Sequence, residues 1–220
     1  MNKEKIYEEA YNYLLSFEEV DENLIDKHLE NWKNGEPENL EDIYWQMLRT
    51  SYNRQGMKNS IGELNQLETV LKDFNPHKVE EAYNSWKDFF KAVEESSYSP
   101  PGRMDIDNSR SHWVQFSKSA ISASDFLSEF EDLKEFEEFV TEFKEGKYTL
   151  YSLPLLLSER VHGFQFALGC DFLKEIGNPE FIKPDTHIKD LFIGMEISDS
   201  DSDFDIFLDV VEFAEEIDKK

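Results

Sequence analysis

Asp185, Thr186 and His187 follow a Lys183-Pro184 pair and precede an apolar helical repeat, a position from which side chains could do chemistry. A carboxylate at such a place can act catalytically. An aspartate after a proline at a helix start serves equally as an N-cap, its oxygen satisfying free backbone amides, and both readings of Asp185 stand. His187 reads as a packed, hydrogen-bonded histidine rather than a catalyst. A second acidic run holds Asp199, Asp201, Asp203 and Asp205. Counted as a calcium loop from Asp201, it has Glu212 as its last ligand but Ile206 where the sharp turn needs glycine, so it reads as the charged start of the last helix. The single cysteine, Cys170, excludes an internal disulfide and a four-cysteine cluster, and lies on the apolar side of its helix as inert filling. Ser-His-Asp order, phosphate-cradling glycine loops and HExxH spacing are absent, and no metal ligand set is expected.

The elements that must position these residues read as helices throughout. Ile6, Tyr7, Ala10, Tyr11, Leu14 and Leu15 recur at three and four residues and predict a helix over 3–17. Asp21 caps a second helix with Leu24, Ile25, His28, Leu29 and Trp32, ended by Gly35 and Pro37. A third starts near Asn39 and buries Leu40, Ile43, Tyr44, Met47 and Leu48. Ile61, Leu64, Leu67, Val70 and Leu71 form the next stripe, and Asn75-Pro76 opens a helix carrying Val79, Ala82, Trp86, Phe89 and Phe90. Residues 96–111, with Ser99-Pro100-Pro101-Gly102, predict the longest loop. Helical spacing then resumes around Trp113–Ile121, Phe126–Phe130, Phe136–Phe143, 162–177, 185–194 and 203–217, and strands should be few.

Composition bounds the functional class. Lys and Arg number 23 against 48 Asp and Glu, a formal charge of −25, which opposes general attraction to nucleic acid or anionic membrane. Any DNA contact must be local. Two stretches are suited to it: Tyr44–Leu64 has Arg49, Arg54 and Lys58 against Glu63 alone, and Ser97–Ala123 has Arg103, Arg110 and Lys118 against Asp105 and Asp107. The amino terminus has no apolar run and no stretch approaches a membrane span, so a soluble, cytoplasmic protein is expected.

From Leu157 to Leu191 the chain runs Leu-Ser-Glu-Arg-Val-His-Gly-Phe-Gln-Phe-Ala, an apolar helix, Gly177, and then Lys-Pro-Asp-Thr-His-Ile. This segment resembles the helix-hairpin-helix DNA glycosylases of the endonuclease III type, in which a Gly-hydrophobic-Gly hairpin opens a helix and an Asp-Thr-His or Asp-x-His segment follows. The resemblance implies an all-α, two-lobed fold with a cleft between the lobes. One lobe would hold 38–95, the other 1–37 with 112–220, with the hairpin at 157–167. It implies double-stranded DNA as partner and base excision as activity, with Asp185 as the carboxylate. The lyase lysine of the bifunctional members is replaced by Gln165, so a monofunctional N-glycosylase is implied; the alternative is a catalytically silent relative that binds DNA or a protein. Val161 stands where the first hairpin glycine would be; His162, Gly163 and Gln165 fall in the DNA-facing register, where members often hold a monovalent cation. No iron-sulfur cluster or other cofactor is implied. Arg49, Arg54 and Lys58 match the side of the DNA cleft, and Tyr52 or Gln55 the residue wedged into the base stack.

Overall fold

The computed structural model describes residues 3–30, 36–53 and 56–217, and every regular element among them is helical. They are α1 (Lys3–Leu15), α2 (Glu22–Leu29), α3 (Leu40–Tyr52), α4 (Met57–Ile61), α5 (Pro76–Ala82), α6 (Trp86–Glu95), α7 (His112–Leu127), α8 (Leu133–Lys144), α9 (Lys147–Leu150), α10 (Ser152–Arg160), α11 (Phe166–Glu175), α12 (Thr186–Gly194) and α13 (Asp203–Glu216). Two 3-10 turns, Leu64–Leu67 and Lys72–Phe74, lie between α4 and α5.

Several helix starts follow directly from side-chain chemistry. Asp21, Asn39 and Asn75 each accept the amide hydrogen of the residue three positions on, satisfying a donor that the helix cannot. Other boundaries depart from the hydrophobic pattern. The stripe Ile61–Leu71 runs from the end of α4 through the Leu64–Leu67 turn into an irregular bend, and the next residues, Lys72, Asp73 and Phe74, all take positive φ, 53, 59 and 60°. Each such residue costs about 1–2 kcal/mol without a Cβ-free backbone. The turn is held by the Asp73 amide donating to the Glu68 carbonyl at 2.9 Å and by the Lys72 ammonium 5.5 Å above the Tyr83 ring. The helix expected from Asn75 to Phe90 is two helices, because Ser85 accepts the Asp88 amide and starts α6 afresh. The expected helix over 162–177 is shorter, with α11 spanning Phe166–Glu175.

The chain divides into two compact units, Pro37–Phe172, and Met1–Glu36 with Leu173–Lys220. Residues 112–172 therefore pack with 37–95, whereas the resemblance grouped them with the termini. The reason lies in α7, the central helix of the larger unit, against which α3, α5 and α6 pack. Trp113, Phe116, Ala120 and Leu127 on α7 are inaccessible to solvent. Its buried serines are tolerated because the hydroxyls of Ser117 and Ser124 donate to the carbonyls of Trp113 and Ile121 on the preceding turn. Small residues there also let α3 approach, so that the buried Tyr44 hydroxyl donates to the Ala120 carbonyl at 3.0 Å.

In the smaller unit α12 and α13 close on Phe192, Ile206 and Val210 with Ile182, Ile188, Ile197 and Phe213. Ser202 caps α13, with Asp203 and Asp205 in the first turn beside the positive helix end. The Asp203 carboxylate pairs with Lys189, and Asp205 accepts from the Ser200 hydroxyl at 2.7 Å. Among the described residues no group of three His, Cys, Asp or Glu side chains is arranged to hold a metal ion, and no helix is long and apolar enough to cross a membrane. Cys170 is fully buried.

Candidate nucleic-acid interface

One face of α7 gathers the segments in the larger unit that the resemblance singled out. His112, Gln115, Ser119 and Ser122 follow one another at three and four residues and therefore share a helix face. At its amino-terminal end, Ser60 Oγ of α4 lies 2.7 Å from His112 Nδ1. One turn on, Gln115 Nε2 donates to the Ser109 carbonyl in the 96–111 loop at 2.6 Å, and its Oε1 lies 2.9 Å from His162 Nε2 in the turn after α10. Farther along, Ser119 Oγ donates to the His162 carbonyl at 2.6 Å and the His162 amide donates to Ser122 Oγ at 2.8 Å.

The 96–111 loop also lies directly on α4. The Gly102 amide donates to the Ser60 carbonyl at 3.0 Å, and the Tyr98 hydroxyl donates to the Ile61 carbonyl. The two basic stretches, far apart in sequence, are thus bonded side by side. Arg49 is exposed and its guanidinium lies 5.3 Å above the Trp45 ring, while Lys58 projects from α4 into solvent. Arg103 is 87% exposed and 3.5 Å from Asp105, and Arg110 is exposed. Lys118 sits 5.2 Å above the Trp86 ring. Acid reaches this region at Glu63, Asp105 and Asp107; burial first, and then the Glu63 carboxylate, raise the hydroxyls of Tyr52 and Tyr98 above the usual phenol range.

The remaining candidate residues take different places. Tyr52 is buried, its hydroxyl donating to the Gly62 carbonyl, so its ring fills the core and is not presented as a wedge for a base stack. Arg54 and Gln55 lie outside the described residues. Gly163 has φ +86° and gives the left-handed backbone that turns α10 into α11, while Gln165 is exposed. Val161, at the place of the first hairpin glycine, is fully buried, and both backbone groups of His162 are taken by the α7 serines. Asp185 belongs to the smaller unit. Its Oδ1 accepts the amides of His187 and Ile188 at 3.0 and 3.1 Å, the geometry of an N-cap. His187, expected to be packed, is exposed in the first turn of α12. No protein-family model, curated protein or solved structure matches the chain.

The Ser60–His112 contact has the distance of a base-activated hydroxyl. Gly102 argues for a structural role. A Cβ built on it would lie 2.7 Å from both Ser60 Cα and Cβ, so the loop backbone covers the serine. The pair clamps α4 to α7. Sequence reading missed it because Ser60 and His112 are 52 residues apart; the polar spacing along an otherwise buried α7 was the available signal.

Proposed function

We propose that the protein binds the backbone of double-stranded DNA through the α7-organised face of its larger unit, as a helix-hairpin-helix relative acting without strand cleavage. The joining of the two basic stretches at Ser60, Gly102 and His112 carries this reading. It brings the segments bearing Arg49 and Lys58 against those bearing Arg103 and Arg110 in a chain of charge −25. At 0.1 M salt, charges farther than about 10 Å are largely screened, so a local cationic surface can act in spite of distant acids. Base excision by Asp185 draws no support from its Oδ1, which is occupied as a helix cap.

Four phosphate contacts would give a slope of about −3.6 in log affinity against log salt on duplex DNA. Titration of a fluorescent duplex should show that slope, and Lys58→Ala and Arg110→Ala should each reduce its magnitude by about 1. Absence of binding at low salt, or a slope the variants leave unchanged, refutes the proposal. A damaged-base release screen with Asp185→Asn as control reports chemistry separately: release abolished by that substitution would restore the base-excision reading.

A further inference from the structure

We propose that the α1–α2 surface of the smaller unit is a docking groove for a cationic amphipathic helix of a partner protein. This rests on observations independent of the DNA reading. No residue of α1 is buried, although its sequence carries the apolar stripe of a packed helix. Tyr13, Leu14, Phe17 and Leu29 remain 65, 45, 48 and 53% exposed, and the Tyr13 and Phe17 rings meet edge-on at 5.1 Å. Isolated exposed hydrophobes need no explanation, but several large ones on adjoining elements indicate a surface awaiting cover. Between the helices lies a hollow of about 420 Å³, lined by Tyr7, Glu8, Tyr11, Asn12, Asp26 and Leu29. Its floor is aromatic, with Tyr7 and Tyr11 stacked at 6.4 Å.

Charge selects the occupant. Lys3–Glu30 contains nine acidic residues against Lys3, Lys5 and Lys27. Lys3 is paired with Glu216 at 2.8 Å and Lys5 with Glu9 at 3.4 Å, so two of the three cations are already engaged. The Tyr11 hydroxyl is raised above its usual range by partial loss of solvent in the hollow and then by the Asp26 and Glu22 carboxylates, which places negative potential at the groove floor. Apolar side chains at helical spacing would meet Tyr11 and Leu29, and flanking Lys or Arg would meet Glu8, Glu22 and Asp26. A second copy of this chain would set acid against acid at the same rim, and DNA would be repelled by it.

The probe is a 14-residue Leu/Lys peptide patterned as an amphipathic helix, titrated into the isotopically labelled full chain and followed by amide chemical shifts. Perturbations should concentrate on 3–30, and Kd should rise with salt. The same residues in scrambled order, and a Leu/Glu counterpart, should bind at least about tenfold more weakly. Asp26→Lys and Leu29→Asp, both at exposed positions, should each weaken binding about tenfold with helical content unchanged. Shifts spread over other acidic surfaces, or equal affinity for the scrambled peptide, would overturn the proposal as mere charge attraction. A dimer in sedimentation that Leu29→Asp dissolves would overturn it in favour of self-association. The mapping on unsubstituted protein decides the question even if a variant fails to fold.

Discussion

Replacing Gly102 by alanine tests whether the 96–111 loop is seated on α4 as described. The added methyl would stand 2.7 Å from Ser60 Cα and Cβ and 2.8 Å from its carbonyl oxygen, against a carbon contact distance of about 3.5–4.0 Å. The obstacle is backbone, so it cannot swing aside as a side chain would. Accommodating such an overlap costs about 1–3 kcal/mol. If the loop retreats instead, the Gly102 amide loses its 3.0 Å bond to the Ser60 carbonyl, about 0.5–1.5 kcal/mol. Opposing this, alanine restricts the unfolded chain and stabilises by about 0.4–1 kcal/mol where the backbone tolerates it. Gly102 has no positive φ, so that gain applies. The clash exceeds that gain, leaving a net loss of about 1.3 kcal/mol at the middle of the two ranges and at most about 2.6 kcal/mol, or a Tm lowered by about 3–5 °C at about 2–4 °C per kcal/mol. Gly194→Ala is the matched control, because nothing lies within 4 Å of its built Cβ, and it should stabilise by about 0.4–1 kcal/mol. Thermal unfolding followed by tryptophan fluorescence reads the first variant through Trp45, Trp86 and Trp113, all in the larger unit, and circular dichroism reads the second. A Gly102→Ala protein as stable as the parent would refute the seating of the loop, and with it the joining of the two basic stretches.

Two further outcomes follow from local chemistry. The fully buried Tyr44 hydroxyl is held well above the usual phenol range by burial first and then by the Asp125 carboxylate. The unfolded chain therefore loses its proton more readily, so stability present below pH about 10 is lost as pH rises beyond it. Ultraviolet titration should show Tyr44 ionising only with unfolding, and Tyr44→Phe should remove that share of the alkaline loss while costing about 1 kcal/mol at neutral pH; a Tyr44 that titrates normally in the folded protein would contradict its burial. Glu196 ends α12 with φ +56°, and the Ile197 amide donates to the Phe192 carbonyl at 2.9 Å. Glycine favours that left-handed position, so Glu196→Gly should stabilise by about 0.5–1 kcal/mol in urea unfolding, and a destabilised variant would show that the Glu196 side chain does more than occupy the turn.

Short-range relations were legible in the sequence. The caps at Asp21, Asn39 and Asn75 and the buried stripe of α3 involve residues within a turn or two of one another, where side-chain chemistry and periodicity act directly. The stripe from Ile61 to Leu71 was misleading, since its apolar residues are indeed buried but on short turns rather than one helix. Apolar spacing reports which residues seek the core; it does not report that three successive residues will be forced into the left-handed region by their surroundings. The break at Ser85 was readable in principle, because serine three residues before Asp88 is a cap signal inside an otherwise continuous pattern.

By itself the sequence determined the helical class, the local caps, the acidity of the whole and the two stretches where that acidity lapses, since all of these depend on composition or on neighbours along the chain. Tertiary structure decided that the lapses lie together, that Tyr52 turns inward, and that His162 is bound by its backbone to α7. Those outcomes depend on pairs such as Ser60 with His112 and Ser122 with His162, separated by 52 and 40 residues. Such partners are chosen when the core closes and buried polar groups must find one another; the polar spacing along α7 marks one member of each pair, but the local sequence does not say which distant residue it meets.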